Sequence, residues 1–368
     1  MKNTPLYEIH VAAGGRLRPP DEPAPLLTYG DVPGEYLAAL ERCALFDETD
    51  RGLIRASGAD AGDFLHGLLS NEVRSVAPGL GNRTLLLTAR GKVRFDLDFA
   101  RTAETFELST PPGAAPALLE ALDTYLFAEV VELVDATEEH APLCVTGPAA
   151  ENVVAALCGV PAPTGDRAHS LLGWGEHSLR VTALTAFGSP AWRLDAGAGG
   201  AVALWKALVE AGARPAGRVV ADSLRVEACA ALAGEDIDEG VYPQEARLES
   251  AFRLDKGCYV GQEVVAKIDT YGGLNKRLTL LAIPHDDPVP RGTSLLRRNP
   301  ENEEWREVGV VTSWAWSFAA DSGLALAYVK RRHQAVGTRL RLGDSSAEAT
   351  ITAAPLREGA VAVSGEFE

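Results

Sequence analysis

Two kinds of hydrophobic spacing run along this chain, and the change from one to the other marks out its regions. After Ser57-Gly58-Ala59-Asp60, a helix-starting cluster, the apolar residues Ala61, Phe64, Leu65, Leu68 and Leu69 recur at i, i+3, i+4, i+7 and i+8. At 3.6 residues per turn this spacing lines one face of an amphipathic helix. A short helix is expected before it, from Glu35 to Cys43. From Thr84 the period falls to two. Leu85-Leu86-Leu87 leads into a turn, Thr88-Ala89-Arg90-Gly91-Lys92, after which Val93, Phe95, Leu97 and Phe99 alternate with Arg94, Asp96 and Asp98. Alternation puts the apolar four on one face of a strand and the charged three on the other, so the segment predicts a hairpin. A third strand is expected at Thr105 to Ser109 and a helix from Ala115 to Val131. Beyond these come a strand at Pro142–Thr146, a helix at Pro148–Leu157, strands at Ser178–Thr185 and Ala191–Asp195, and a helix at Gly200–Ala211. The order lacks a strict strand–helix–strand rhythm and predicts an α+β fold.

The last hundred residues differ. Short strands are expected at Arg277–Ile283, Thr293–Leu296, Glu307–Ser313, Leu324–Val329, Thr338–Leu342 and Glu348–Ala353, separated by Pro288, Pro290, Gly292, Gly337 and Gly343. Many short strands with regular turns predict a small β-barrel. The expected organisation is a loosely structured lead-in over 1–30, an α+β region over 31–273 and a barrel over 274–368.

Composition narrows the function classes. A chain of 368 residues is longer than one core usually supports, and 46% apolar with 23% charged residues is ordinary for a globular protein. With 35 Lys and Arg against 51 Asp and Glu the net charge is −16, a field that repels polyanions and argues against direct nucleic-acid binding. The short basic runs Lys276-Arg277 and Lys330-Arg331-Arg332 are ordinarily solvated turns, but either can attract small carboxylates. No apolar run is long enough for a membrane span and the first residues lack a signal-peptide core, so a cytoplasmic location is expected. The five cysteines form no C-x-x-C pair, which argues against a disulfide framework or a zinc site. The histidines, His66 and His140 among them, show no metal-ligand spacing and are read as structural or exposed.

Three segments carry candidate chemistry. Lys256-Gly257-Cys258-Tyr259-Val260-Gly261-Gln262-Glu263 brackets a Cys-Tyr pair with glycines, just before an expected helix from Gln262 to Ile268. A thiol ahead of a helix N-terminus, with Lys256 near it, is favoured as thiolate, while a glycine-bounded turn with a buried cysteine fits the same spacing. In Arg225-Val226-Glu227-Ala228, Glu227 can accept paired N–H donors such as those of an amino-pyrimidine edge, although the pattern alone favours a surface helix with an Arg–Glu pair. Asp96 and Asp98 can form an acid/base pair, although the pattern alone favours two residues facing water.

The octapeptide from Lys256 to Glu263 resembles the K-G-C-Y-x-G-Q-E signature of the YgfZ family. Phe64-Leu65-His66-Gly67-Leu68-Leu69-Ser70-Asn71-Glu72-Val73 is similar to the F-L-x-x-L-x-[ST]-N-[DE]-V stretch of glycine-cleavage T-proteins. Asp222-Ser223-Leu224-Arg225-Val226-Glu227-Ala228 is similar to their D-x-L-R-L-E-A helix, and Val308–Ser313 with Ala325–Val329 resembles their barrel. The resemblance runs from about Leu45 onward. It implies a three-domain ring of the T-protein type with a C-terminal β-barrel, binding tetrahydrofolate or a one-carbon derivative.

T-proteins transfer an aminomethyl carbon from a lipoyl carrier to tetrahydrofolate and release ammonia. By this resemblance Glu227 contacts the pterin, and Arg225, Lys256, Gly257, Tyr259, Gly261 and Gln262 are candidate folate-binding residues. Cys258 and Asp96 are the candidate catalytic ones. Two departures weigh against aminomethyl transfer. The family's G-G-x-x-D-D turn reads Gly91-Lys92-Val93-Arg94-Phe95-Asp96, and its K-G-D-x-x-G-R reads Lys256-Gly257-Cys258-Tyr259-Val260-Gly261-Gln262. The YgfZ branch is associated with folate-dependent maintenance of iron–sulfur enzymes, including those that modify tRNA, so iron–sulfur proteins or their assembly factors are the implied partners. One cysteine cannot hold a cluster alone, which limits Cys258 to redox chemistry, transient ligation or partner contact.

Overall fold

The computed structural model describes residues 4–18, 26–299 and 301–356. Its chain divides into two compact units. The first contains 1–86, 95–221 and 255–259; the second contains 87–94, 222–254 and 260–368. The division differs from the one expected at residue 273, because 222–254 and the helix Gln262–Tyr271 group with the barrel.

In the first unit, five strands form a sheet in the order Leu80–Leu87, Val93–Arg101, Phe106–Thr110, Gly52–Ser57, Glu132–Asp135. The hairpin read from the alternating pattern is its edge: Thr88 N–H donates to Lys92 C=O and Gly91 N–H to Thr88 C=O, closing the turn. A second sheet orders His169–Trp174, His177–Ala186, Ser189–Asp195, Pro142–Thr146, Ala44–Asp47 and Arg214–Pro215, with only the last pairing parallel. The helices Ala150–Cys158 and Gly197–Glu210 supply Val153, Val154, Leu204, Trp205 and Leu208 to its core, which meets Leu143, Val145, Val181 and Leu194.

In the second unit six strands close a barrel in the order Lys276–Ile283, Ser322–Lys330, Trp305–Ser317, Ser294–Arg298, Arg339–Leu342, Glu348–Ile351, returning to the first at Leu281↔Ile351. Leu281, Ile283, Leu295, Val311, Ala325, Ala327, Val329, Leu340 and Ile351 fill its interior. All six strands fall where the turn-punctuated pattern put them.

Several expectations are corrected. The lead-in is ordered over 4–18 and 26–30; residues 1–3 and 19–25 lie outside the described set. Tyr7–Ala12 is a helix, Leu6 is fully buried in the core, and His10 is buried between Tyr29 and Asp47, with its ring nitrogens 2.8 Å from each. The expected helix over 115–131 stops at Asp123. The chain then turns through a segment with exposed Phe127 and Val130 and enters the strand Glu132–Asp135.

The charged face of the Val93–Arg101 strand also departs from expectation. Asp98 does not face open water. Its carboxylate meets Arg51 at 3.2 Å, Arg167 at 2.7 Å and Arg193 at 2.9 Å, and Arg193 also binds Glu48 at 2.6 Å. Burial alone raises a carboxyl pKa, but here the three guanidinium groups outweigh it and hold Asp98 well below the usual carboxylate range. Removing one member of such a cluster strands like charges beside one another. Asp98→Asn is therefore expected to lower stability by about 3–5 kcal/mol at neutral pH in urea unfolding. Because the folded-state pKa is depressed, that stabilisation is fully present above the unfolded value of about 3.9 and fades as pH falls below it. The gap between wild type and Asp98→Asn should hold from pH 7 to 5 and narrow only in stronger acid.

Candidate functional site

The candidate residues fall into two sets, one in each unit. In the first unit the helix Ala61–Leu68 buries Ala61, Phe64, Leu65 and Leu68, the stripe read from the sequence, together with His66. The segment 255–259 lies against this helix. His66 Nε2 is 2.9 Å from Lys256 C=O, and Lys256 Nζ donates to His66 C=O at 2.5 Å. His66 Nδ1 lies 3.3 Å from Glu72 Oε1, and that oxygen also accepts from Val73 N–H at 3.0 Å and Ser75 N–H at 3.1 Å. Burial, with a smaller contribution from Arg74, brings the Lys256 amine down to about 8, although Glu72 acts in the opposite sense. Burial and the Lys256 charge likewise lower His66.

Gly257 has φ +107°, a conformation that side chains with a Cβ rarely adopt, and after it the chain presents Cys258. Cys258 is exposed, whereas Cys43, Cys144 and Cys229 are buried and Cys158 is intermediate. Tyr259 returns to the interior, where burial raises its hydroxyl pKa, and Lys256 Nζ stands 5.2 Å from its ring centroid. The thiol is therefore not the buried cysteine that one reading of the spacing allowed.

Asp96, also in the first unit, is gripped by Arg83: Nε at 2.8 Å and Nη2 at 2.5 Å on its two carboxylate oxygens. A two-point guanidinium–carboxylate fork is among the stronger polar contacts. Asp96 and Asp98 are thus each committed to arginines. The sequence held a signal for this in the cationic residues Arg51, Arg83, Arg167 and Arg193, but nothing in their spacing brings them to one strand. A cavity of about 40 Å³ beside Asp98, lined also by Glu107, Arg180, His140 and Asp195, has room for a few waters and no organic ligand.

In the second unit the helix Arg218–Glu227 ends in the other candidate pair. Arg225 is buried and binds Asp222 at 2.7 Å, Glu235 at 2.6 Å, Asp236 at 2.9 Å and Ser313 Oγ at 3.0 Å. The surface helix with an Arg–Glu pair suggested by the pattern is replaced by a buried cation among acids from the following loop. Glu227 is fully buried and accepts from Ser317 Oγ at 2.7 Å. Gly261 sits at φ +79° directly before the helix Gln262–Tyr271. A Cβ there would lie 2.5 Å from Thr88 C=O, so this position admits only glycine while the 88–92 turn stays in place. Gln262 Nε2 reaches Leu254 C=O at 3.3 Å. The same unit has a recess of about 330 Å³, of small-molecule size, where Lys276 and Lys330 from the two basic runs come together with Arg291, facing Glu235, Asp238 and Glu307. Among the described residues no group of three or more His, Cys, Asp or Glu is arranged to hold a metal ion, and no helix is long and apolar enough to cross a membrane.

Comparison with known proteins agrees with this architecture. Residues 7–256 match the family model for the GCVT N-terminal domain, and residues 276–357 match that for the glycine cleavage T-protein C-terminal barrel domain. The chain is 30% identical over 355 residues to an aminomethyltransferase of Symbiobacterium thermophilum, covering 93% of each chain. It is 26% identical over 300 residues to a putative chloroplastic transferase of Arabidopsis thaliana, covering 80% of this chain and 66% of that one. Its structure is similar to the crystal structure of the glycine cleavage system aminomethyltransferase T from Bartonella henselae, with a TM-score of 0.85 at 25% identity over 98% and 99% of the two chains. With both family models matched in order and nearly the whole length aligned, the chain belongs to the glycine cleavage T-protein family.

Proposed function

We propose that this protein binds a reduced folate, tetrahydrofolate or a one-carbon derivative, and serves through its Cys258 thiol as an accessory factor in iron–sulfur cluster assembly or repair, with an indirect effect on tRNA modification. The observation that carries this reading is the division of labour among the candidate residues. Cys258 stands exposed on the Lys256–Glu263 segment, while Asp96 is engaged at both carboxylate oxygens by Arg83. An accessible thiol suits redox chemistry, transient ligation or contact with iron–sulfur proteins and their assembly factors. Glu227 is the residue assigned to the pterin. It is a buried acceptor on a rigid helix end, where paired N–H donors would join or displace the Ser317 hydroxyl. Within the second unit Arg225 holds the helix end that carries Glu227, and Gly261 and Gln262 shape the start of the helix Gln262–Tyr271; within the first, Lys256, Gly257 and Tyr259 shape the segment that presents Cys258.

A second reading is tetrahydrofolate-dependent aminomethyl transfer, favoured by relatives named aminomethyltransferases over nearly the full length of the chain. In that reading Asp96 assists the chemistry and has to exchange its Arg83 contacts for the substrate.

Calorimetric titration of tetrahydrofolate tests the common part of both readings. Wild type should bind, and Glu227→Gln should bind about 1–3 kcal/mol more weakly, the effect of mispairing a buried hydrogen-bonding group. Absence of binding to wild type would remove the folate from both readings. The readings then separate in two assays. Ammonia released from an aminomethylated lipoyl carrier with tetrahydrofolate would establish the transferase. For the accessory reading, Cys258→Ala should fail to restore iron–sulfur enzyme activities in cells lacking the native protein, and full restoration would eliminate the role of the thiol.

A further inference from the structure

We infer that His66 is a positioning residue for the Cys258 loop, and that its ring and the Lys256 amine form a reciprocal latch fastening that loop to the end of the helix Ala61–Leu68. The inference rests on the reading of Cys258 as the functional thiol. Each side chain of the pair binds the other residue's backbone carbonyl, His66 Nε2 to Lys256 C=O at 2.9 Å and Lys256 Nζ to His66 C=O at 2.5 Å. A carbonyl only accepts, so Nε2 carries a proton. The His66 carbonyl belongs to the last turn of its helix, where carbonyls lack intrahelical partners, and an ammonium there also meets the negative end of the helix dipole. His66 Nδ1 faces Glu72 Oε1 at 3.3 Å, and the Val73 and Ser75 N–H groups hold that carboxylate in place. The latch therefore closes two residues before Cys258, and Gly257 at φ +107° turns the chain out from it. Glu72, Lys256 and Arg74 are the charged groups acting on the ring.

The hydrogen bond to the loop needs the proton on Nε2, which both the Nε2–H tautomer and the imidazolium supply. Deprotonation of Lys256 removes the charge at the helix end and weakens the other half of the latch as pH rises through about 8.

The test compares wild type, His66→Leu and His66→Gln by amide hydrogen exchange over 255–260. Leucine fills the space without donating; glutamine keeps a donor. In His66→Leu, exchange over 255–260 should rise about tenfold, as expected for a local opening, with the rest of the unit unchanged. His66→Gln should retain the wild-type exchange. Unchanged exchange in His66→Leu, or equal changes in Leu and Gln, would overturn the latch. If His66→Leu does not fold, Lys256→Met cuts the other hydrogen bond, and unchanged exchange over 255–260 in that variant overturns it as well. The readout needs neither folate nor a partner. A Cys258 dispensable in cells would thus defeat the functional reading and leave the latch standing.

Discussion

Charge taken out of water has to be neutralised nearby, and this requirement organises both units of the protein. In the first, Asp98 sits among Arg51, Arg167 and Arg193, with Glu48 answering Arg193. In the second, Arg225 sits among Asp222, Glu235 and Asp236, and Asp236 takes further hydrogen bonds from Ser313 Oγ and Leu232 N–H. Each cluster joins elements distant in sequence: strands at 93–101 and 189–195 in one, a helix end, a loop and a barrel strand in the other. Such pairs add little net stability over an apolar core, but breaking one is costly, so they favour one arrangement of the chain over its alternatives.

The same requirement sorts the candidate site residues. Arg225 was a candidate for a ligand, and four of its five N–H groups go to three carboxylates and a serine. It is best understood as the group that holds the helix end carrying Glu227 against the 232–241 loop. Asp96 is similarly bound to Arg83. Glu227 and Cys258 stand at opposite extremes of exposure. Glu227 is a buried carboxylate whose described side-chain hydrogen bond comes from a neutral hydroxyl, and Cys258 is a nucleophile left on the surface.

The sequence was most informative where local pattern decides structure. The stripe Ala61–Leu68, the hairpin around Gly91 and all six barrel strands follow from periodicity and turn residues, because the burying face is written into consecutive positions. It was least informative where the partner is remote. Nothing near Asp98 announces Arg167 or Arg193, so its face read as solvated. Nothing near His10 announces Asp47 and Tyr29, so the first residues read as loose. Helix length over 115–131 failed for a related reason: the spacing continues beyond Asp123, but the segment that follows finds no surface to bury Phe127 and leaves it exposed. The candidate site was legible as a list of residues through the octapeptide and the Asp222–Ala228 helix. Their hydrogen-bond states were not legible, since these depend on Arg83, Ser317 and His66, which lie 13, 90 and 190 residues from their partners.

Glycine placement shows how the octapeptide converts sequence into geometry. Gly261 is required because the Thr88 carbonyl lies where its Cβ would stand, and Gly91, at φ +72°, would meet Val264 in the same way. The turn of the 93–101 hairpin and the start of the helix Gln262–Tyr271 therefore touch backbone to backbone, and neither glycine can change alone. Gly257 is different: a Cβ there meets nothing closer than His66 Nε2 at 3.7 Å, so its constraint is the φ of +107° alone. One glycine of the K-G-C-Y-V-G-Q pattern thus serves packing and the other serves the reversal that brings Cys258 to the surface. A substitution at Gly261 should disturb the fold of its unit, whereas one at Gly257 should act chiefly on where the thiol stands. That separates the structural half of the motif from the half that bears on chemistry.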